Sequence, residues 1–283
     1  MRMKKEREPV TEQAAERFRR DLLRREYSQG TAENYARSVR AFAAWSGGTV
    51  SRSRVLAWKA HLTDRYAPAT VNAMLAGINQ FLKFAGRPEC RVRFLRLQRR
   101  SFRDAERDLD REEYRALVRT ARAQGRERLA LVMETLCSAG IRVGEVPFIT
   151  VEAARRGRTE VSLKGKIRTI FLPAALCRRL LKYAGKQKIT SGEIFLTGGG
   201  KRLSRTQIWA EMKRLCRAAG VAERKVFPHN LRHLFARSFY ARCRDVVKLA
   251  DILGHSSMET TRIYLLSTGT EHVRQLERLN LLC

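Results

Sequence analysis

Apolar residues recur at three- and four-residue spacing along nearly the whole chain, and only one stretch alternates. That pattern limits the chain to a mainly helical fold with a small β-hairpin. Phe18, Leu22, Leu23 and Tyr27 share one helical face. After Gly30-Thr31, where Thr31 is the predicted N-cap, Tyr35, Val39, Phe42 and Trp45 share the next, which stops at Gly47-Gly48. Val55, Trp58 and Leu62 mark a third helix. Pro68 and Thr70 open a fourth, carrying Met74, Leu75, Ile78, Phe81 and Leu82, closed by Gly86 and Pro88. Four short amphipathic helices predict an all-α domain over 11–88. Residues 89–107 lose the periodicity, are dense in arginine, and read as a basic linker. A second domain, 108–283, opens at Asp110 with Glu113 three residues on, a capping box. Its near-continuous apolar run Leu129–Leu136 predicts a buried helix. Residues 158–173 alternate around Lys164-Gly165-Lys166 and predict the one β-hairpin, making this domain mixed α+β.

The 58 Lys+Arg against 28 Asp+Glu leave a net charge of +30. The excess is not a tail: residues 1–100 carry 22 basic and 9 acidic side chains, and the rest carry 36 and 19. A surface so positive repels itself unless a polyanion is its partner. Nucleic acid is the first candidate, since neutralised phosphates release counterions; an anionic membrane surface or ribosomal RNA is the alternative. The six cysteines are far apart, without zinc-type spacing. Cys137 and Cys216 lie in apolar patterns and are expected to be buried, reduced thiols of a cytoplasmic protein. The charged N-terminus has no apolar signal region, and no apolar run approaches a membrane span.

Four sites carry residues suited to phosphate chemistry. In SAGIRVGE, 138–145, a helix ends at Gly140 and Arg142 emerges just after it. A permanently charged planar donor on a rigid base suits phosphate oxygens, although alone it reads better as a surface arginine. Lys164 sits at the hairpin turn, where it could swing over a bound backbone. In PHNLRH, 228–233, Pro228 suits the first helical position, so His229 and Arg232 share a face at i, i+3. In LGHSSMETTRIY, 253–264, Gly254 caps an apolar helix, Ser256 and Glu259 fit a capping box, and Tyr264 falls about two turns into the next helix, with His255 just before its start. Alone, Tyr264 reads as a half-buried core tyrosine.

The order and spacing of these residues resemble the tyrosine recombinase, or phage integrase, family: Arg142, Lys164, His229 with Arg232, His255, and Tyr264 nine residues after that histidine. AGIRVGE, HNLRH and LGHSSMETTRIY are similar to the family's boxes. GTAENYARSVRAFAAW and APATVNAMLAGINQFLKF resemble its core-binding domain, so the resemblance runs over about 15–270. It implies that Tyr264 attacks a scissile DNA phosphate and forms a 3′-phosphotyrosine, without ATP, metal or other cofactor. Arg142, Arg232 and His255 would neutralise the developing charge. Lys164 would protonate the departing 5′ oxygen, and His229 would assist proton transfer at the tyrosine. Glu145 would buttress the site.

The hairpin departs from the family's Gly-Lys-Gly-x-Lys by one residue, so Lys166 is the alternative to Lys164. Pro147 stands where a leucine is usual. The chain is similar in size to Xer-type and small mobile-element members and is expected to be without the extra N-terminal arm-binding domain of larger ones. The implied partners are double-stranded DNA with a specific recombination site, a homotetramer on two synapsed sites, and accessory DNA-bending proteins, in a cytoplasmic, nucleoid-associated setting. The tail 272–282, with Val273, Leu276, Leu279 and Leu282 spaced on one face, packs either on its own domain or on a neighbouring subunit. A type IB topoisomerase shares the chemistry, and a non-catalytic DNA-binding relative is a third reading.

Overall fold

A computed structural model describes residues 10–97, 105–163, 166–255, 257–262, 264, 273 and 277–279. The chain divides into two compact units, Met1–Arg99 and Arg100–Cys283. Among the described residues, no helix is long and apolar enough to cross a membrane.

The first unit is four helices: α1 (Glu12–Arg24), α2 (Gln29–Ser46), α3 (Arg52–Thr63) and α4 (Pro68–Phe84). Thr11 Oγ1 caps α1 by accepting the Ala14 N–H at 3.2 Å. The cap of α2 is Ser28 rather than Thr31: its hydroxyl accepts the Thr31 N–H at 3.3 Å and bonds the Thr31 hydroxyl at 2.9 Å. Gly30 therefore lies inside the first turn. The first-turn N–H groups have no intrahelical partner there in any case. Phe18, Leu22, Phe42, Trp58, Leu75 and Ile78 fill the core, with Trp58 edge-on to Phe42 at 5.2 Å between ring centres.

Residues 88–97, which composition marks only as arginine-rich, are held against this helical unit. After a 3-10 turn, Pro88–Cys90, the chain is tied down by helix side chains instead of a neighbouring strand. Asn79 donates to Val92 O at 2.9 Å and accepts the Val92 N–H at 3.0 Å. Asn72 does the same with Leu95, at 2.9 and 2.8 Å. The spacings match: seven helical residues advance about 10.5 Å and three extended residues about 10 Å. Lys59 donates to Arg93 O at 2.8 Å. Val92 is buried, while Arg91, Arg93 and Arg96 are exposed.

The second unit holds the remaining elements. Asp110 and Glu113 form the capping box of α5 (Arg111–Ala123). Next come α6 (Glu127–Ser138), a 3-10 segment Val143–Phe148, α7 (Val151–Arg156), and strands β1 (Arg158–Leu163) and β2 (Lys166–Phe171). The strands pair antiparallel with Leu163 opposite Lys166. Helices α8 (Ala174–Lys186), α9 (Arg205–Lys213), α10 (Cys216–Ala219), α11 (Pro228–Cys243), α12 (Val246–Leu253) and α13 (Met258–Arg262) complete it. Leu129–Leu136 is buried throughout. Its one carboxylate, Glu134, is held by Arg122 at 2.9 Å and by Arg179. Pro147 fits the 3-10 segment, where no α-helical ladder needs its missing N–H. Cys216 is buried and Cys137 half-buried; burial pushes the Cys137 thiol up to about 12.

Candidate active site

The site forms where the ends of α6 and α12 meet the first turns of α11. Arg232, on α11, is 0% exposed. A bare buried cation is costly, but here it faces two helix C-termini. Nη1 donates to Gly140 O at 2.6 Å, just past α6, and Nη2 to Leu253 O at 2.7 Å, the last residue of α12. Such carbonyls lack intrahelical partners and sit at the negative end of the helix dipole. Burial, with the Arg142 charge acting in the same direction, lowers Arg232 to about 10, so it stays charged at neutral pH. Its Nε–H makes no hydrogen bond among the described residues.

Arg142 follows the left-handed Gly140, and its side chain is 44% exposed. Glu145, 2% exposed, folds back on it. Its carboxylate accepts the Arg142 N–H at 2.7 Å and Nη1 at 3.2 Å. The same carboxylate is gripped by Arg168 from β2. Burial opposes ionisation, but the bonds from Arg168 and from the Arg142 backbone hold Glu145 below the usual carboxylate range.

Tyr264 is 4% exposed. It does not lie two turns inside a helix: α13 ends at Arg262, and Tyr264 sits in the following turn, its N–H bonded to Thr261 O at 3.0 Å. Three imidazoles surround its ring. His255 stacks on it at 5.7 Å, His233 meets it edge-on at 4.6 Å, and His229 lies 6.3 Å away. The bonds of His255 define its tautomer. Arg232 Nη2 lies 3.0 Å from Nε2 and can only donate, so Nε2 accepts and Nδ1–H donates to Thr261 Oγ1 at 2.8 Å.

All three histidines are pushed down. Burial first, then the Arg232 and Arg142 charges, lower His255 to about 4. Burial and His229 lower His233 to about 3. Packing around His229, with Arg232 and Arg142 beside it, lowers that ring too, although its outer surface remains open to solvent. Permanent cations are thus interleaved with neutral imidazoles.

Arg142, His229, Arg232, His255 and Tyr264 come together in one unit. Lys164 and Ser256 lie outside the described residues, and Lys166 is placed only by its backbone at the start of β2. The tail reading also falls largely outside them. Ser257 accepts the Glu259 N–H at 3.2 Å. Sequence reasoning missed three participants: His233, Thr261 and Arg168. Arg168 carried a readable signal. Strand alternation places it on the face of Ile170, opposite Val161, both buried. An arginine on the inward face of a hairpin calls for a buried partner.

Residues 107–270 match the phage integrase family and residues 15–89 the phage integrase N-terminal SAM-like domain. The tyrosine recombinase XerA of Pyrococcus furiosus is 29% identical over 227 residues, covering 77% of this chain and 76% of the relative. XerA of Thermococcus kodakarensis is 27% identical over 258 residues, covering 88% and 89%. Among solved structures, XerH site-specific recombinase bound to difH substrate, a pre-cleavage complex, superposes with a TM-score of 0.70 at 18% identity, covering 93% of this chain and 84% of that one. A lambda integrase tetramer bound to a Holliday junction gives 0.70 at 19%, covering 89% and 76%. At these identities the structural likeness is one of fold.

Proposed function

The chain belongs to the phage integrase family, the tyrosine recombinases, enzymes that cleave and rejoin DNA, and from that premise we propose that Tyr264 is its nucleophile and that Arg142, Lys164, His229, Arg232 and His255 serve it. The observation that carries the reading is the enclosure of the Tyr264 ring by His229, His233 and His255 beside the buried Arg232.

In this mechanism Tyr264 Oη attacks the scissile phosphorus and the bond from phosphorus to the 5′ oxygen breaks, leaving a 3′-phosphotyrosine. The half-exposed Arg142 and the Nε–H of Arg232 receive the non-bridging oxygens, where negative charge grows in the transition state. His229, uncharged at neutral pH, takes the phenol proton; Lys164 gives a proton to the departing oxygen. His255 is uncharged as well, so its part is to hold Arg232 through Nε2, itself fixed by Thr261. The reverse attack by a 5′ hydroxyl of a second strand rejoins the DNA. The partners of this reading are double-stranded DNA with a specific site and three further copies of the chain on two synapsed sites. The lambda integrase tetramer on a Holliday junction supports the assembly by analogy of fold.

Covalent capture on nicked duplexes tiled from the DNA flanking the gene tests the assignment. The wild-type chain should form an adduct that survives denaturation and maps to one phosphate. Tyr264→Phe should bind the same DNA with unchanged, salt-sensitive affinity and form none. An adduct on the Phe variant would transfer the nucleophile to another residue.

A further inference from the structure

One side chain of β2 touches two of the other segments that make the site. From β2, Arg168 Nε donates to Glu145 Oε1 at 3.2 Å and Nη2 to Glu145 Oε2, so it grips the carboxylate that orients Arg142. Its Nη1 donates to Ile252 O at 2.7 Å, in the last turn of α12 just before His255. The stem crosses Gly254 so closely that a Cβ there would lie 2.2 Å from Arg168 Cδ. Its side chain is 11% exposed, and Nε, Nη1 and Nη2 all have protein partners. It is therefore a poor phosphate ligand and a good anchor.

What it anchors is the end of the hairpin. An isolated two-stranded hairpin is marginal in water, and this one is held by Val161 and Ile170, both buried, and by Arg168. Ile167, the next residue toward the loop, is 75% exposed and holds nothing. Among the described side chains Arg168 is thus the last on β2 that ties the hairpin to the rest of the unit, about 7 Å of strand from Lys166. We propose that Arg168 is a positioning residue that seats the hairpin on Glu145 and Ile252 and thereby aims its lysine at the departing 5′ oxygen. This rests on the reading of the hairpin lysine as proton donor. In that step Tyr264 Oη bonds to phosphorus, the phosphorus–oxygen bond breaks, the lysine proton passes to the leaving oxygen and the phenol proton passes to His229. A lysine that cannot reach leaves an unprotonated alkoxide, a poor leaving group.

The test replaces the scissile 5′ bridging oxygen by sulfur, whose thiolate leaves without a proton. Single-turnover adduct formation is measured on oxygen and sulfur duplexes for the wild type, Arg168→Ala, Arg168→Lys, Lys164→Ala, Lys166→Ala and Arg142→Ala. Loss of a general acid costs roughly 100-fold or more. Arg168→Ala should fall by about that factor on the oxygen duplex and return to within about fivefold of wild type on sulfur, as a hairpin-lysine variant does. Arg142→Ala should stay slow on both. Arg168→Lys, which keeps the charge but loses the fork, should lie between, and its sulfur-to-oxygen rate ratio serves if the alanine variant does not fold. The proposal falls if a lysine variant is restored by sulfur and neither Arg168 variant is, for then Arg168 acts through Arg142 or through folding. If neither lysine variant is restored, the proton-donor reading fails and takes the proposal with it.

Discussion

Gly140→Ala couples backbone strain, packing and the buried arginine at one point. Gly140 has φ +61°, and a Cβ there would lie 2.4 Å from Phe235 Cδ1 and 2.5 Å from Cε1. A side chain in the left-handed region costs about 1–2 kcal/mol, and overpacking a ring in place adds about 1–3 kcal/mol. The sum, roughly 2–5 kcal/mol, lowers the melting temperature of a unit this size by roughly 5–15 °C. The same displacement moves Gly140 O, which Arg232 Nη1 holds at 2.6 Å. A shift near 1 Å slows adduct formation on the order of 100-fold. Thermal unfolding of the wild type, Gly140→Ala, Phe235→Ala and the double variant separates the terms. Removing the ring relieves the clash but not the strain, so the two losses should fall short of additive by the overpacking share, about 1–3 kcal/mol. A Gly140→Ala variant melting within about 1 °C of wild type, or losses that simply add, would refute the account.

The ionisation of the histidines sets a pH dependence. The unfolded chain protonates His233 and His255 near 6.5, whereas the folded chain resists until about 3 and about 4; their contribution is complete above pH 6.5 and is lost as the pH falls through those lower values. At pH 5 unfolding should therefore take up about two protons at these two residues, with His229, also lowered, adding to the count, read as the buffer dependence of the calorimetric enthalpy. Thr261→Val removes the acceptor of His255 Nδ1–H; adduct formation should fall about tenfold with a stability loss of only about 1 kcal/mol, seen by single-turnover kinetics and melting. Asn79→Leu leaves both backbone groups of Val92 unpaired, so trypsin should cut at Arg91 or Arg93 much faster, by roughly 30-fold for about 2 kcal/mol of local opening.

Local order was legible from the sequence where one chemical cause sufficed. Asp110 with Glu113, Pro68 at a first helical position and the Leu129–Leu136 run each announce their element because cap, missing donor and burial are short-range properties. Ser28 was obscured by Gly30, whose break signal outweighed a serine two positions earlier. Tyr264 lies in a turn outside α13, which spans Met258–Arg262, a length that periodicity does not fix. The neutrality of the imidazoles was not legible at all, since it depends on which charges the fold gathers from α6, β2 and α11 around them. Arg168 belongs to the same class: its inward face could be counted along the strand, but its partner Glu145 lies 23 residues away.

The paired asparagines of α4 act as a gauge on the chain that leaves it. Asn72 and Asn79 each clasp one backbone amide, and they agree only because two helical turns equal three extended residues in length. One residue inserted or lost between Val92 and Leu95 would bring a peptide of the wrong register to one clasp. The segment thus has a counted length, and any change in the reach of the chain beyond it has to be made after Leu95.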